Sequence, residues 1–170
     1  MKKIFCFILI SCVLFLYSCK QEDLINVPIF ISRFNKINDE KIQKDELYAV
    51  EENENLKYNF LLNENYLLTL KSDKQSGEIK SICITCKNDK TFSETSFRNL
   101  CLKALMSYEK IDEKQAENIL NNFDFSTNIF SKKIDFFYYS FIRNSVCISF
   151  FAESSRLNEE PLTDPKLVEQ

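Results

Sequence analysis

Histidine and tryptophan are absent from this chain of 170 residues, and glycine occurs once, at Gly77. Each absence closes a class of chemistry. Without an imidazole there is no Ser-His-Asp triad, no Cys-His pair, no histidine-ligated metal and no imidazole acid or base. The P-loop and the dinucleotide-binding turn both need several glycines, so neither phosphate cradle is present. Positive charge is also short: 22 basic against 25 acidic residues leave a net charge of −3. Setting aside Lys2 and Lys3, which lie in a leader segment free of acids, takes the charge of the remainder from −3 to −5. A protein that tracks phosphates needs a basic stripe, so no nucleic-acid partner is expected.

What the chain does have is apolar mass. Hydrophobic residues make up 45% of it, with 16 Phe and 7 Tyr. A domain of about 150 residues buries roughly 70% of its unfolded surface, enough for one stable core. Neither an internal repeat nor a second domain is visible.

The N-terminus has its own pattern. Lys2 and Lys3 precede an apolar run over residues 4–16 that only Ser11 interrupts. That is the length of a secretion-signal core and short for a membrane span. The run ends in Leu16-Tyr17-Ser18-Cys19, followed by polar Lys20-Gln21-Glu22-Asp23. This segment resembles a bacterial lipoprotein precursor, with Leu at −3, a small residue at −1 and Cys at +1. Tyr17 departs from the usual small residue at −2. The resemblance covers about the first twenty residues and implies cleavage after Ser18 and lipidation of Cys19. Two or three acyl chains, each buried CH₂ contributing about 0.8 kcal/mol, would anchor the protein firmly to a membrane. With Lys20 rather than Asp at +2, an outer-membrane location facing the periplasm is expected in a cell with two membranes. The expected organisation is a signal peptide over 1–18, lipidated cysteine and tether over 19–25, one domain over 26–153 and a polar tail over 154–170.

Within the domain, Asn26 and Pro28 offer a helix start, and Phe30, Phe34 and Ile37 follow at helical spacing over 27–38. Alternation of Val27, Ile29 and Ile31 permits a strand there instead. Residues 39–54 carry seven acids and read as a loop, with a short helical or extended piece at 47–50. From Leu56 the apolar period is two, giving strands near 56–62, 66–70 and 78–86, with Gly77 in the second turn. Thr91 to Glu94 fits a capping box ahead of an apolar helical stripe from Phe97 to Tyr108. Asp112 and Gln115 form a second box ahead of Ala116, Ile119, Leu120 and Phe123. Strands return at 134–142 and 146–153. Helices segregated from strands predict an α+β fold: one antiparallel sheet of about five strands, a meander plus a C-terminal hairpin, with helices on one face.

Candidate chemistry is sparse. Four cysteines lie beyond Cys19, an even number that suits disulfides in an exported chain. Cys86 and Cys101 point to the core side and Cys83 and Cys147 to the other, so Cys86–Cys101 and Cys83–Cys147 are the expected pairs. The Cys83-Ile84-Thr85-Cys86 spacing suits a redox or zinc motif, but residues three apart on a strand face opposite ways. Neither a metal nor a cofactor is expected. Carboxylates alone can hydrolyse glycosides, yet the acids here cluster in a polar loop, and no catalytic residue stands out. The hairpin carries apolar residues on both faces. It is either buried on both or presents Phe137, Tyr139, Phe141 and Phe151 to a partner, beside the acids Glu51, Glu52 and Glu54.

The expectation is therefore a non-enzymatic, lipid-anchored envelope protein that binds another protein, either a delivered toxin it neutralises or a larger envelope machine it supports. A carboxylate-dependent hydrolase is the third reading. Cys19→Ser is expected to abolish labelling by a fatty-acid probe and release the protein from membranes; equal labelling of both forms would exclude anchoring at this residue.

Overall fold

Period-two patterning from Leu56 onward produces a sheet, and the computed structural model describes it over residues 25–43 and 48–155. The leader, Cys19, the tether to residue 24, residues 44–47 of the acidic segment and residues 156–170 lie outside the described residues. The order is α1 (Val27–Ile37), β1 (Ala49–Glu52), β2 (Asn55–Leu61), β3 (Tyr66–Asp73), β4 (Ile79–Lys87), α2 (Glu94–Glu109), α3 (Glu113–Leu120), β5 (Ile129–Ile134), β6 (Phe137–Arg143) and β7 (Cys147–Ser154). All strands pair antiparallel in the order β1-β2-β3-β4-β7-β6-β5. Two meanders thus meet where β4 pairs with β7, and the helices carry the chain from the centre to the far edge.

The α+β class with a single antiparallel sheet agrees with the sequence, but there are seven strands rather than about five. The two extra strands, β1 and β5, are both edges. Every β1 residue is exposed, and Lys132 and Lys133 interrupt the apolar pattern of β5. Edge strands need no alternating apolar set, and charges on them discourage pairing with other chains. The strand expected over 134–142 is β6 and starts at Phe137, after a turn at Asp135-Phe136 in which Asp135 takes a left-handed φ of 51°.

Helix starts follow local hydrogen bonding. Asn26 Oδ1 accepts from the Ile29 amide at 3.0 Å, with Pro28 in the first turn. Asp112 and Gln115 form the reciprocal capping box. Thr91 does not cap α2, because the Asp89 carboxylate takes both its amide and its hydroxyl, at 2.8 and 2.6 Å. The cap moves to Ser93, whose Oγ accepts from the Ser96 amide. Gly77, with φ 71°, closes the β3–β4 turn, where a side chain would be strained by the backbone rather than by neighbours.

All three helices cover one face. Phe60, Leu68, Leu70, Ile82, Ile84, Tyr139, Phe141, Ile148 and Phe150 point toward them and are almost wholly buried. Phe97 of α2 packs on Tyr66, Phe92, Phe125 and Phe141. Beyond the end of α3 the chain supplies Phe123, whose ring meets Phe125, Phe130, Tyr139 and Phe150 at centroid distances of 5.0–6.4 Å. Phe123→Ala is expected to destabilise the domain by about 3–5 kcal/mol, measured by urea unfolding. Leu61→Ala, at a side chain 67% exposed, should change stability by no more than about 0.5 kcal/mol.

Candidate functional site

The face of the sheet away from the helices is concave and holds a groove of about 430 Å³. Register explains its chemistry. Lys57, Lys71, Ser81, Glu153, Tyr138 and Lys133 form one row across β2, β3, β4, β7, β6 and β5. Beside it runs a second row of Asn59, Thr69, Cys83, Phe151, Ser140 and Ser131. Neighbours in these rows interact: Thr69 Oγ1 donates to Asn59 Oδ1 at 2.8 Å, and Ser131 and Ser140 hydroxyls meet at 2.9 Å. Lys133 Nζ lies 5.0 Å from the centre of the Tyr138 ring. The face is thus polar and ordered, with Tyr138 and Phe151 as its half-buried aromatic floor.

The expected binding residues divide between the two faces. Phe151 lines the groove, as does Glu52 from the edge strand. Glu51, Glu52 and Glu54 are exposed beside it, although Glu51 pairs with Lys74 at 2.7 Å and Glu52 with Lys57 at 3.2 Å. Tyr139 and Phe141 are not a surface: they are 1% and 0% exposed beneath the helices. Phe137 is half-buried on the same side, edge-on to Tyr108 at 5.5 Å. These three belong to the core because the covering helices lie on their side of β6. Phe136, in the turn, is the aromatic residue of this segment that stays 61% exposed.

Neither expected disulfide is present; Cys83, Cys86, Cys101 and Cys147 are all free thiols. Cys83 and Cys147 do share a face, but Cys83 sits opposite Phe151 and Cys147 opposite Lys87. Four residues of strand separate those positions, roughly 13 Å, far beyond disulfide reach. Cys86 and Cys101 are both buried in the core, unbridged. Burial pushes the Cys83 and Cys86 thiols up to about 11, so neither is a nucleophile at neutral pH. Among the described residues no three metal-ligating side chains gather, and no helix is long and apolar enough to cross a membrane.

A second concavity, about 390 Å³, opens on the helix side between α3 and the β5–β6 turn. Its floor holds a residue that sequence reasoning missed. Glu109 is the last residue of α2, followed by Lys110 in the left-handed conformation that ends the helix. Both its carboxylate oxygens accept from the Tyr139 hydroxyl at 2.8 Å. Burial first, and then the Asp135 carboxylate, raise the Glu109 pKa from 4.5 to about 7, while the Tyr139 bond opposes that rise. The negative end of the α2 dipole acts in the same sense as burial. The legible signal was an acid ending a helix one residue after Tyr108, the last of its apolar stripe.

The chain matches no family model, no curated protein and no solved structure.

Because the folded-state pKa of Glu109 lies above its unfolded value, its contribution to stability is full below about pH 4.5 and is lost as pH rises through about 7. Glu109→Gln keeps an acceptor for Tyr139 without the charge. It is expected to match wild type in urea unfolding at pH 4 and to exceed it at pH 8 by about 1–3 kcal/mol. A variant less stable than wild type at pH 8 would contradict this origin of the shift.

Proposed function

We propose that this chain is a lipid-anchored bacterial envelope protein, tethered through Cys19, whose domain binds another protein across the open face of its sheet and performs no catalysis. The observation that supports this reading is the groove itself. Seven strands are covered on one side alone, and the bare side carries an aromatic floor of Tyr138 and Phe151 bordered by charges of both signs, Lys57 and Lys71 against Glu52 and Glu153. Such a surface favours a partner with an apolar protrusion rimmed by polar groups, since desolvated aromatics at the centre of an interface carry most of its energy. The acids Glu51, Glu52 and Glu54 line the approach at the β1 edge and favour a basic partner kinetically, through charge steering that salt suppresses.

Two partners fit: a delivered toxin that the protein neutralises, or a component of a larger envelope assembly. The test uses the full lipidated chain in its own membranes, with a photo-crosslinking residue at Thr69 in the groove and capture after detergent extraction. Wild type is expected to yield a discrete cross-linked partner. A Tyr138→Ala/Phe151→Ala pair should weaken that complex by about 2 kcal/mol or more, roughly thirty-fold, with the fold intact by circular dichroism. Neutralising Glu51, Glu52 and Glu54 should slow association at low salt alone. A partner captured equally well by the folded double variant would refute the groove as the binding surface.

A further inference from the structure

The concavity beside Glu109 has a one-sided chemistry that the groove lacks. Among the described residues its lining contains two carboxylates, Glu109 and Asp135, three side-chain amides from Gln115, Asn118 and Asn122, and no lysine or arginine, while the Lys132 ammonium outside it is held by the Asn122 amide oxygen at 2.6 Å. The remaining walls are aliphatic and aromatic, with Phe136 at the turn and Ile111 and Ile119 on the opposite side. A neutral apolar ligand would leave the carboxylate floor desolvated, and an anion would be repelled by it. A cation on an apolar stem satisfies both parts: the ammonium meets Glu109 and Asp135, and the stem lies along the apolar walls. Aromatic rings at the turn add attraction for the same charge.

We infer that this cavity is a binding site for a small organic amine with an apolar stem, held by the Glu109 carboxylate that Tyr139 positions. Tyr139 is 1% exposed, so its hydroxyl is a fixed donor and sets the orientation of Glu109 before any ligand arrives. At about 390 Å³ the space is within the range of ordinary small-molecule sites. The site lies on the helix side of the sheet and does not depend on the groove on the other side.

The test titrates the whole domain with 2-phenylethylamine and with 2-phenylethanol, its neutral counterpart, following backbone amide shifts by NMR. The amine is expected to bind saturably, at least about ten-fold tighter than the alcohol, with shifts confined to the 109–122 and 134–139 segments. Glu109→Gln should lose about ten-fold or more in amine affinity while leaving the spectrum of the free protein otherwise native. Asp135→Asn, at an exposed turn, gives a second variant whose loss of affinity is smaller and whose folding is not in question. Leu61→Ala, at an exposed position outside both concavities, should leave amine affinity unchanged. Equal affinities for amine and alcohol, unchanged amine binding in folded Glu109→Gln, or no saturation by either probe up to about 10 mM would each overturn the proposal.

Discussion

The fold depends on the aromatic rings that pack its helical layer onto the sheet. Seven strands at about 4.8 Å spacing span roughly 29 Å from edge to edge. The helices number 11, 16 and 8 residues, and the longest extends only about 24 Å. Over β5 and β6 the irregular segment after α3 adds Phe123 and Phe125 to the helical layer. Their rings meet Phe130, Tyr139, Phe141, Phe150 and, through Phe125, Phe97 of α2. Two phenylalanines in a connection thereby join the helical layer to the β5–β6–β7 meander, while Phe97 of α2 packs on Tyr66 of the other. Backbone in such a segment must still be satisfied. Asp124 manages this by accepting from Ser126, while Arg143 reaches back to the Phe125 carbonyl at 3.1 Å.

Most of the interior architecture was legible because burial imposes period. Leu68, Leu70, Ile82 and Ile84 alternate with polar residues since one side of each strand is dry and the other wet. The stripe from Phe97 to Tyr108 marks α2 for the same reason. The edge strands were hard to read: Ala49 to Glu52 are all exposed, so only an extended or helical piece at 47–50 showed, and in β5 Lys132 stands between core-packed Phe130 and Ile134 and reaches Asn122 at 2.6 Å. The candidate surface was half legible. Alternation correctly separated Tyr138 from Phe137, Tyr139 and Phe141, but both sets are aromatic, so composition alone could not say which faced the helices. Strand order decided the cysteines. Nothing local tells that β7 pairs with β4 in a register that keeps Cys147 four positions from Cys83.

The two concave places differ in how the chain maintains them. Groove residues stand in cross-strand rows with hydroxyl and amide neighbours, so their polarity costs little. Glu109 is held against burial, against the dipole of its own helix and near a second carboxylate, with a single tyrosine hydroxyl in compensation. The charge of Glu109 is therefore a cost to stability that the groove residues do not carry.

The placement of β7 has a consequence for how the molecule comes into being. The last strand of the described residues, β7, lies near the centre of the sheet, between β4 and β6. Once the first meander has formed, the inner edge of β4 is open, and that edge waits for residues 147–154, some sixty positions later. β5 and β6 arrive with no neighbour to join them to it. The β5–β6 and β6–β7 hairpins close locally, but the β4–β7 ladder closes across a long connection, which makes the joining of the two half-sheets a late step. Until then, Ile84 and Cys86 sit on a strand whose unpaired backbone is open to any other extended chain, and for such a protein the C-terminus is the element that turns two half-sheets into one.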